Sequence, residues 1–179
     1  MSALTFTLKL TPVQRLDMSP LVSNKLAGLA FEDIGAIELT YGNKKLRVDE
    51  AFDVTGDEPL EIVIKNSCGK LDYIGCEMED GQIHVEGGAG AYLAMGMKAG
   101  SITVNGNAGI FAACEMKNGL LQINGNVDDF LGGALPGNKK GMRGGTVLVK
   151  GNAGERVGDH LRRGTILIEG DAGDYCGSR

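Results

Sequence analysis

"GSITVNGNAGIFAACEMKNGLLQING", residues 100–125, opens and closes on the same short phrase: "GSITVNG" (100–106) and "GLLQING" (119–125) stand 19 residues apart. The phrase continues in both directions as "GQIHVEG" (81–87), "GTVLVKG" (145–151) and "GTILIEG" (164–170). Its closing glycines, Gly87, Gly106, Gly125, Gly151 and Gly170, are spaced 19, 19, 26 and 19, and the surplus of the long step falls in "ALPGNKKG" (134–141). A weaker copy, "LEIVIKN" (60–66), precedes them. Ile83/Val85, Ile102/Val104, Leu121/Ile123, Val147/Val149 and Ile166/Ile168 alternate with mostly polar neighbours, which is the pattern of a short strand with one buried face. A 19-residue period leaves no room for a helical crossover. The chain is therefore expected to coil, laying each strand parallel to the previous one about 4.8 Å away. The fold class this predicts is all-β: a right-handed parallel β-helix over 60–179, with a small mixed α/β cap over 1–59. The right hand follows from the general handedness of strand crossovers.

Two further columns agree with the period. Leu93, Ala112, Leu131, Val157 and Cys176 follow the closing glycines, while Met78, Met97, Met116, Met142 and Leu161 precede the strands; both are expected to point inward. The closing glycines read as structural corners, because Gly followed by Asn or Asp suits a left-handed backbone at a tight turn. A phosphate-binding glycine loop would lead from a strand into a helix, and no helical pattern follows here. In the cap, "SPLVSNKLAGLAFEDI" (19–34) predicts one or two helices with Ser19-Pro20 as a start signal. "AIELTYGNKKLRV" (36–48) predicts a hairpin through Tyr41-Gly-Asn-Lys. Such a cap would cover an exposed strand edge. At the other end the pattern stops mid-turn at Gly177-Ser-Arg, which predicts either a trimmed chain or an end covered by another subunit.

Composition narrows the function classes. Gly makes up 29 of 179 residues, without the Gly-X-Y period of collagen, and only 4 are Pro. A net charge of −5 gives no reason to expect nucleic acid as a partner. The N-terminus lacks a basic head and apolar run, and no apolar stretch is long enough for a membrane span. Cytoplasmic placement with reduced thiols is the expectation, since Cys68, Cys76, Cys114 and Cys176 form neither a CxxC pair nor a dense framework.

No catalytic constellation is legible. His84 and His160 fall at different points of the repeat, no HxH, HExxH or serine elbow occurs, and neither a metal site nor a catalytic residue is expected. Cys68 and Cys176 read as small core residues; Cys76 and Cys114 have no neighbour that would activate a thiol. Asp129, Glu155 and Asp174 recur four residues past their glycines and read as a solvated acidic face. Two outward columns carry more information. Lys98, Lys117, Arg143 and Arg162 form a basic ladder about 14 Å long, with Lys139, Lys140 and Arg163 close in sequence. It is a candidate dock for an acidic partner or an anionic carrier, the alternative being solubilising side chains on a corner. Tyr92, Phe111, Phe130, Arg156 and Tyr175 form a second column, next to the inward Leu93 column. It is a candidate protein–protein interface, the alternative being an aromatic stack inside the coil.

The "NAG/DAG" corners, "FLGGALPG", "QRLDMSPLVSNKLAGL" and above all "GMRGGTVLVKGNAGERVGDHLRRGTILIEGDAGDYCGSR" (141–179) resemble the C subunits of the formylmethanofuran dehydrogenases, in particular those of the bacterial formyltransferase/hydrolase complexes. The GXGXG domain of glutamate synthase is a more distant resemblance, without the N-terminal segment. The resemblance implies a non-catalytic scaffold in a complex of one-carbon metabolism, with tetrahydromethanopterin-linked formaldehyde oxidation as its setting. Its partners would be amidohydrolase-like, formyltransferase-like and dehydrogenase-B-like proteins. No cofactor is expected on this chain alone; a methanofuran-type carrier would be handled by the complex. A domain of an amidotransferase and a carbohydrate-active β-helix are the competing readings.

Overall fold

The computed structural model describes residues 1–178. The N-terminal segment contributes β1 (Ala3–Leu8), β2 (Leu16–Asp17), the short helices α1 (Ser23–Leu26) and α2 (Phe31–Gly35), β3 (Glu38–Tyr41), β4 (Lys44–Arg47), α3 (Val48–Ala51) and β5 (Phe52–Thr55). There follow β6 (Glu58–Ser67), β7 (Leu71–Asp72), β8 (Gln82–Gly87), β9 (Ser101–Val104), β10 (Leu120–Ile123), β11 (Arg143–Val149) and β12 (Arg163–Ile168). Strands β8 to β12 pair parallel, with Ile83 beside Ile102, Ile102 beside Leu121, Leu121 beside Val147 and Val147 beside Ile166; the register shifts once, between Arg143 and Thr146 of β11.

The right-handed parallel β-helix with a separate cap is nevertheless not the architecture of the described residues. They form one mixed sheet of eight strands, ordered β12-β11-β10-β9-β8-β6-β1-β5, and a second sheet of four, ordered β4-β3-β2-β7. Two physical causes account for the difference. Only one segment of each repeat has the β-branched alternation that sustains a strand. The remainder, as in 91–96, runs through consecutive tight turns, and single bridges such as Ala108↔Val127 and Val127↔Ala153 link one repeat to the next. The first strand also matches the inward alternation of the repeats: Leu4 and Phe6 pair parallel with Ile62 and Ile64 of β6. Antiparallel β5 then extends the same sheet, with Phe6 meeting Phe52 edge to face at 6.0 Å.

The hairpin β3–β4 turns at Gly42-Asn43, with Leu39 opposite Leu46. Helix initiation differs from the expectation. Pro20 lies in a turn in which the Leu21 N–H donates to the Met18 carbonyl at 2.9 Å, and α1 begins only at Ser23, after extended Val22. Arg15 ties this segment to the first repeat. Its Nε and Nη2 each donate to the Asp72 carboxylate at 2.6 Å, and the Ala91 N–H adds a third donor at 2.8 Å. Asp72 is largely buried, and these donors satisfy its carboxylate oxygens. The pairing raises the Arg15 pKa above its ordinary value, chiefly through the hydrogen bond to Asp72.

Inside, the strand residues Ile83, Val85, Ile102, Val104, Leu121, Ile123, Val147 and Val149 are buried, as are Met78, Met97, Met116 and Met142. In the last repeat the equivalent positions are uncovered: Leu161 and Cys176 are exposed, and Ile166 and Ile168 half-buried. Of the closing glycines, Gly87 has the expected left-handed backbone at φ +119°, whereas Gly106, Gly125, Gly151 and Gly170 have a different cause from the one the sequence suggested. At Gly125 the backbone is not left-handed; instead, an added Cβ would stand 2.6 Å from the Gly106 carbonyl oxygen. Stacked backbones leave no space for a side chain. The opening glycines of the repeats, such as Gly119 at φ +102°, are left-handed as well. Asn after the closing glycine serves the stacking too, since Asn107 Oδ1 accepts the Asn126 N–H, and Asn126 Oδ1 the Asn152 N–H, both at 2.8 Å. Gly125→Ala is expected to cost about 1–3 kcal/mol as an overpacked contact between backbones. Urea denaturation monitored by circular dichroism would measure the loss.

Candidate functional site

The aromatic column is real and longer than its sequence reading. Tyr73 stacks on Tyr92 with centroids 4.8 Å apart, Tyr92 on Phe111 at 5.4 Å, and Phe111 on Phe130 at 4.8 Å, all within 11° of parallel. Arg156 follows and places its guanidinium 5.0 Å from the Tyr175 ring centroid. Sequence reasoning missed Tyr73, although it lies 19 residues before Tyr92. Burial, then the neighbouring Tyr92, pushes the Tyr73 phenol pKa up. All six residues have left-handed backbones, with φ between 57° and 64°. Each non-glycine residue held there costs on the order of 1 kcal/mol or more. The repeat structure over-determines the conformation: Tyr92, Phe111, Phe130 and Arg156 each donate their N–H to a carbonyl of the next repeat at 2.8–3.0 Å.

The column lies outside the aliphatic core cluster, yet it covers itself. Phe111, between two rings, is only 8% exposed, Tyr73, Tyr92, Phe130 and Arg156 are half-buried, and Tyr175 is 64% exposed. Beside it runs an open groove of about 960 Å³, floored by glycines such as Gly88 and Gly106 and bounded by Arg15, Tyr92 and Ile110.

The basic ladder is also assembled. The N–H groups of Lys98, Lys117, Arg143 and Arg162 each donate to the methionine carbonyl of the preceding repeat, Met78, Met97, Met116 and Met142. Lys98 is paired, with Nζ 2.7 Å from Glu79 Oε1, and Glu79 is the ladder's own position one repeat earlier. That pair lowers the Glu79 pKa and raises that of Lys98, chiefly through the shared hydrogen bond. Arg143 and Arg163 lie opposite each other on β11 and β12, and Arg162 Nη2 donates to the Lys139 carbonyl at 3.0 Å. Lys139 and Lys140 project from the loop at 134–141, where Asn138 Nδ2 donates to Glu115 Oε1 at 2.5 Å.

The remaining candidates stay apart. Asp129 Oδ1 accepts the Glu155 N–H at 2.8 Å, and Glu155 and Asp174 are exposed. His84 faces Asn105 at 3.4 Å. His160 Nδ1 stands 2.9 Å from Asp159, whose other oxygen accepts the Ser178 hydroxyl at 3.2 Å. Here the carboxylate sits between hydroxyl and imidazole, whereas a nucleophile–base pair needs the hydroxyl on the imidazole. Cys68 is half-buried, Cys176 exposed, and Cys76 and Cys114 buried. Desolvation, then Glu77, pushes the Cys76 thiol up to about 11; desolvation, then Glu115, pushes Cys114 up to about 12. Thiols so raised are poor nucleophiles near neutral pH. Among the described residues no group of three or more His, Cys, Asp or Glu side chains is placed to hold a metal ion, and no helix is long and apolar enough to cross a membrane.

No family model matches the chain. It is 39% identical over 80 residues to the C subunit of the tungsten-containing formylmethanofuran dehydrogenase 2 of Methanococcus maripaludis, covering 44% of this chain and 29% of that protein. It is 36% identical over 80 residues to the C subunit of the formyltransferase/hydrolase complex Fhc of Methylorubrum extorquens, covering 45% and 30% respectively. The matched segments thus span less than a third of these curated relatives. The structural likeness is broader. A chain in the X-ray crystal structure of the formyltransferase/hydrolase complex (FhcABCD) from Methylorubrum extorquens, in complex with methylofuran, superposes with a TM-score of 0.91 and 31% identity, over 98% of this chain and 74% of that one. This protein belongs to the family formed by the C subunits of formylmethanofuran dehydrogenases and formyltransferase/hydrolase complexes.

Proposed function

We propose that this chain is a non-catalytic scaffold subunit of a formyltransferase/hydrolase or formylmethanofuran dehydrogenase-like complex. The observation that carries the reading is the 31% identity sustained over 98% of the chain with a component of the four-subunit FhcABCD assembly. Formyl transfer and hydrolysis belong, on this reading, to amidohydrolase-like, formyltransferase-like and dehydrogenase-B-like partners. The one-carbon unit travels on a methanofuran-type carrier held by the complex, within tetrahydromethanopterin-linked formaldehyde oxidation. The reactive side chains support this division of labour. Burial pushes the Cys76 and Cys114 thiols up, and Asp159 stands between the Ser178 hydroxyl and the His160 ring. A self-stacked column with an exposed Tyr175 end supports a role in contacting partners, since aromatic and Arg side chains anchor such interfaces.

The test is affinity purification of the tagged protein from its own host, followed by mass spectrometry and a formyl-transfer assay. The expected result is co-purification with partners of the three stated kinds, and activity in the assembly but not in the separated chain. Recovery of a lone monomer, or formyl transfer by that monomer, would overturn the reading.

A further inference from the structure

We infer that the groove beside Tyr92 is a docking site for an extended, neutral-to-basic polypeptide segment, whose carbonyls take up backbone N–H groups that the repeats leave unpaired. The inference goes beyond the scaffold reading and does not depend on it. Elsewhere along the repeats, two columns of polar side chains cap the backbone of the following repeat. In the first, Asn107 Oδ1 accepts the Asn126 N–H, Asn126 Oδ1 the Asn152 N–H and Asn152 Oδ1 the Asp171 N–H, each at 2.8 Å. In the second, Asp72 Oδ1 accepts the Ala91 N–H and Asp129 Oδ1 the Glu155 N–H, also at 2.8 Å.

Both columns are interrupted at the groove. Gly88 holds the first column's position one repeat before Asn107, and Ala91 the second column's position one repeat before Ile110. Neither carries a side chain that can accept a hydrogen bond. Among the described residues, the N–H groups of Asn107 and Ile110 consequently have no acceptor. All four residues line the groove. The missing side chains therefore act twice, widening the space and leaving donors beside it. Such donors are met either by water or by an incoming acceptor. Asn107 and Ile110 are three residues apart, so their nitrogens lie within about 11 Å of each other. An extended segment covers that distance in about three residues, at about 3.3 Å each.

Charge favours a peptide carbonyl over an anion. The charged side chains lining the groove are Arg15, Asp72 and Asp128, one positive against two negative. Arg15 is already committed: Nε and Nη2 hold Asp72, and Nη2 also donates to the Gly69 carbonyl at 2.9 Å. Asp128 is exposed and, among the described residues, has no basic group within 4.0 Å. An anion would meet this surplus negative charge. An amide carbonyl adds no charge, and a Lys or Arg beside it would pair with Asp128. The walls favour a peptide too. Ile110 is 41% exposed and Tyr92 half-buried, so alternate side chains of an extended segment can rest on them. The partner is therefore a segment with apolar side chains next to a Lys or Arg.

Selection from a displayed library of random eight-residue peptides, with the full chain as bait, tests the proposal. Enriched peptides are expected to combine apolar residues with Lys or Arg. In hydrogen exchange followed by nuclear magnetic resonance, they should slow the Asn107 and Ile110 N–H groups. Gly88→Asn restores the first column and fills the groove. The backbone at Gly88 is not left-handed, and an added Cβ would meet its nearest neighbour, the Asn107 carbonyl oxygen, at 3.2 Å. This variant should keep its circular dichroism spectrum and bind the enriched peptides at least about tenfold more weakly. Ile110→Ser, at an exposed side chain, gives an independent reading and should weaken binding in the same direction. Absence of enrichment, or binding unchanged in both variants, would overturn the site. Enrichment of acidic peptides whose binding is lost in Gly88→Asn would overturn the choice of partner.

Discussion

Ile102→Asp is expected to abolish folding, while Thr103→Asp, one residue along, is expected to leave it nearly intact. Ile102 is fully buried, between Ile83 and Leu121 on the neighbouring strands, and its Cδ1 fills the space above Gly75. An aspartate there has no donor to satisfy it, at a cost on the order of 5 kcal/mol. That is comparable to the whole stability of a typical domain, about 5–15 kcal/mol. Thr103 points to the opposite face, between His84 and Gln122, and remains partly exposed. Urea titration of both variants measures the contrast. Equal tolerance would show that the two faces of β9 have been assigned the wrong way round.

Replacing Phe111 and Phe130 together by Ser is expected to lower stability by about 3–5 kcal/mol, and to weaken capture of partner subunits. Outward placement alone would have predicted little effect on folding. The stack changes the expectation, because Phe111 is enclosed by Tyr92 and Phe130 and each such pair contributes about 0.5–1.5 kcal/mol beyond its buried area. Tyr175→Ser separates the two effects. At 64% exposure, with Arg156 as its aromatic-face contact, it should change stability by less than about 1 kcal/mol. If Tyr175 anchors a partner, the same change should release that partner in a co-purification assay. Unaltered stability of the double phenylalanine variant would mean that the stack contributes nothing to the fold.

The strand positions and their inward faces were legible because a 19-residue period forces equivalent residues into register, and alternation then assigns the sides. Ile102 and Val104 illustrate this, as do the buried methionines Met78 to Met142. Family membership was legible too, in the distinctive run at 141–179, of which Arg179 lies outside the described residues. Tyr73 and Glu79 could have been found by the same arithmetic, one period before Tyr92 and Lys98.

The overall architecture was not legible in that way. Periodicity reports local registration, and it is blind to a non-repeating segment that joins the same sheet. Thus the pairing of β1 with β6, and of β5 antiparallel to β1, had no signature in the period. The Arg15–Asp72 pair, 57 residues apart, had none either. The reason for the closing glycines from Gly106 onward was likewise tertiary, since the obstacle at Gly125 is the backbone of Gly106 rather than a demanded φ. Self-burial of the aromatic column follows from the same close stacking. Which side chains recur at each point of the repeat follows from the order of residues, because period and alternation are properties of one chain. What each column touches follows from the folded arrangement, because that depends on backbone separation and on partners distant in the chain.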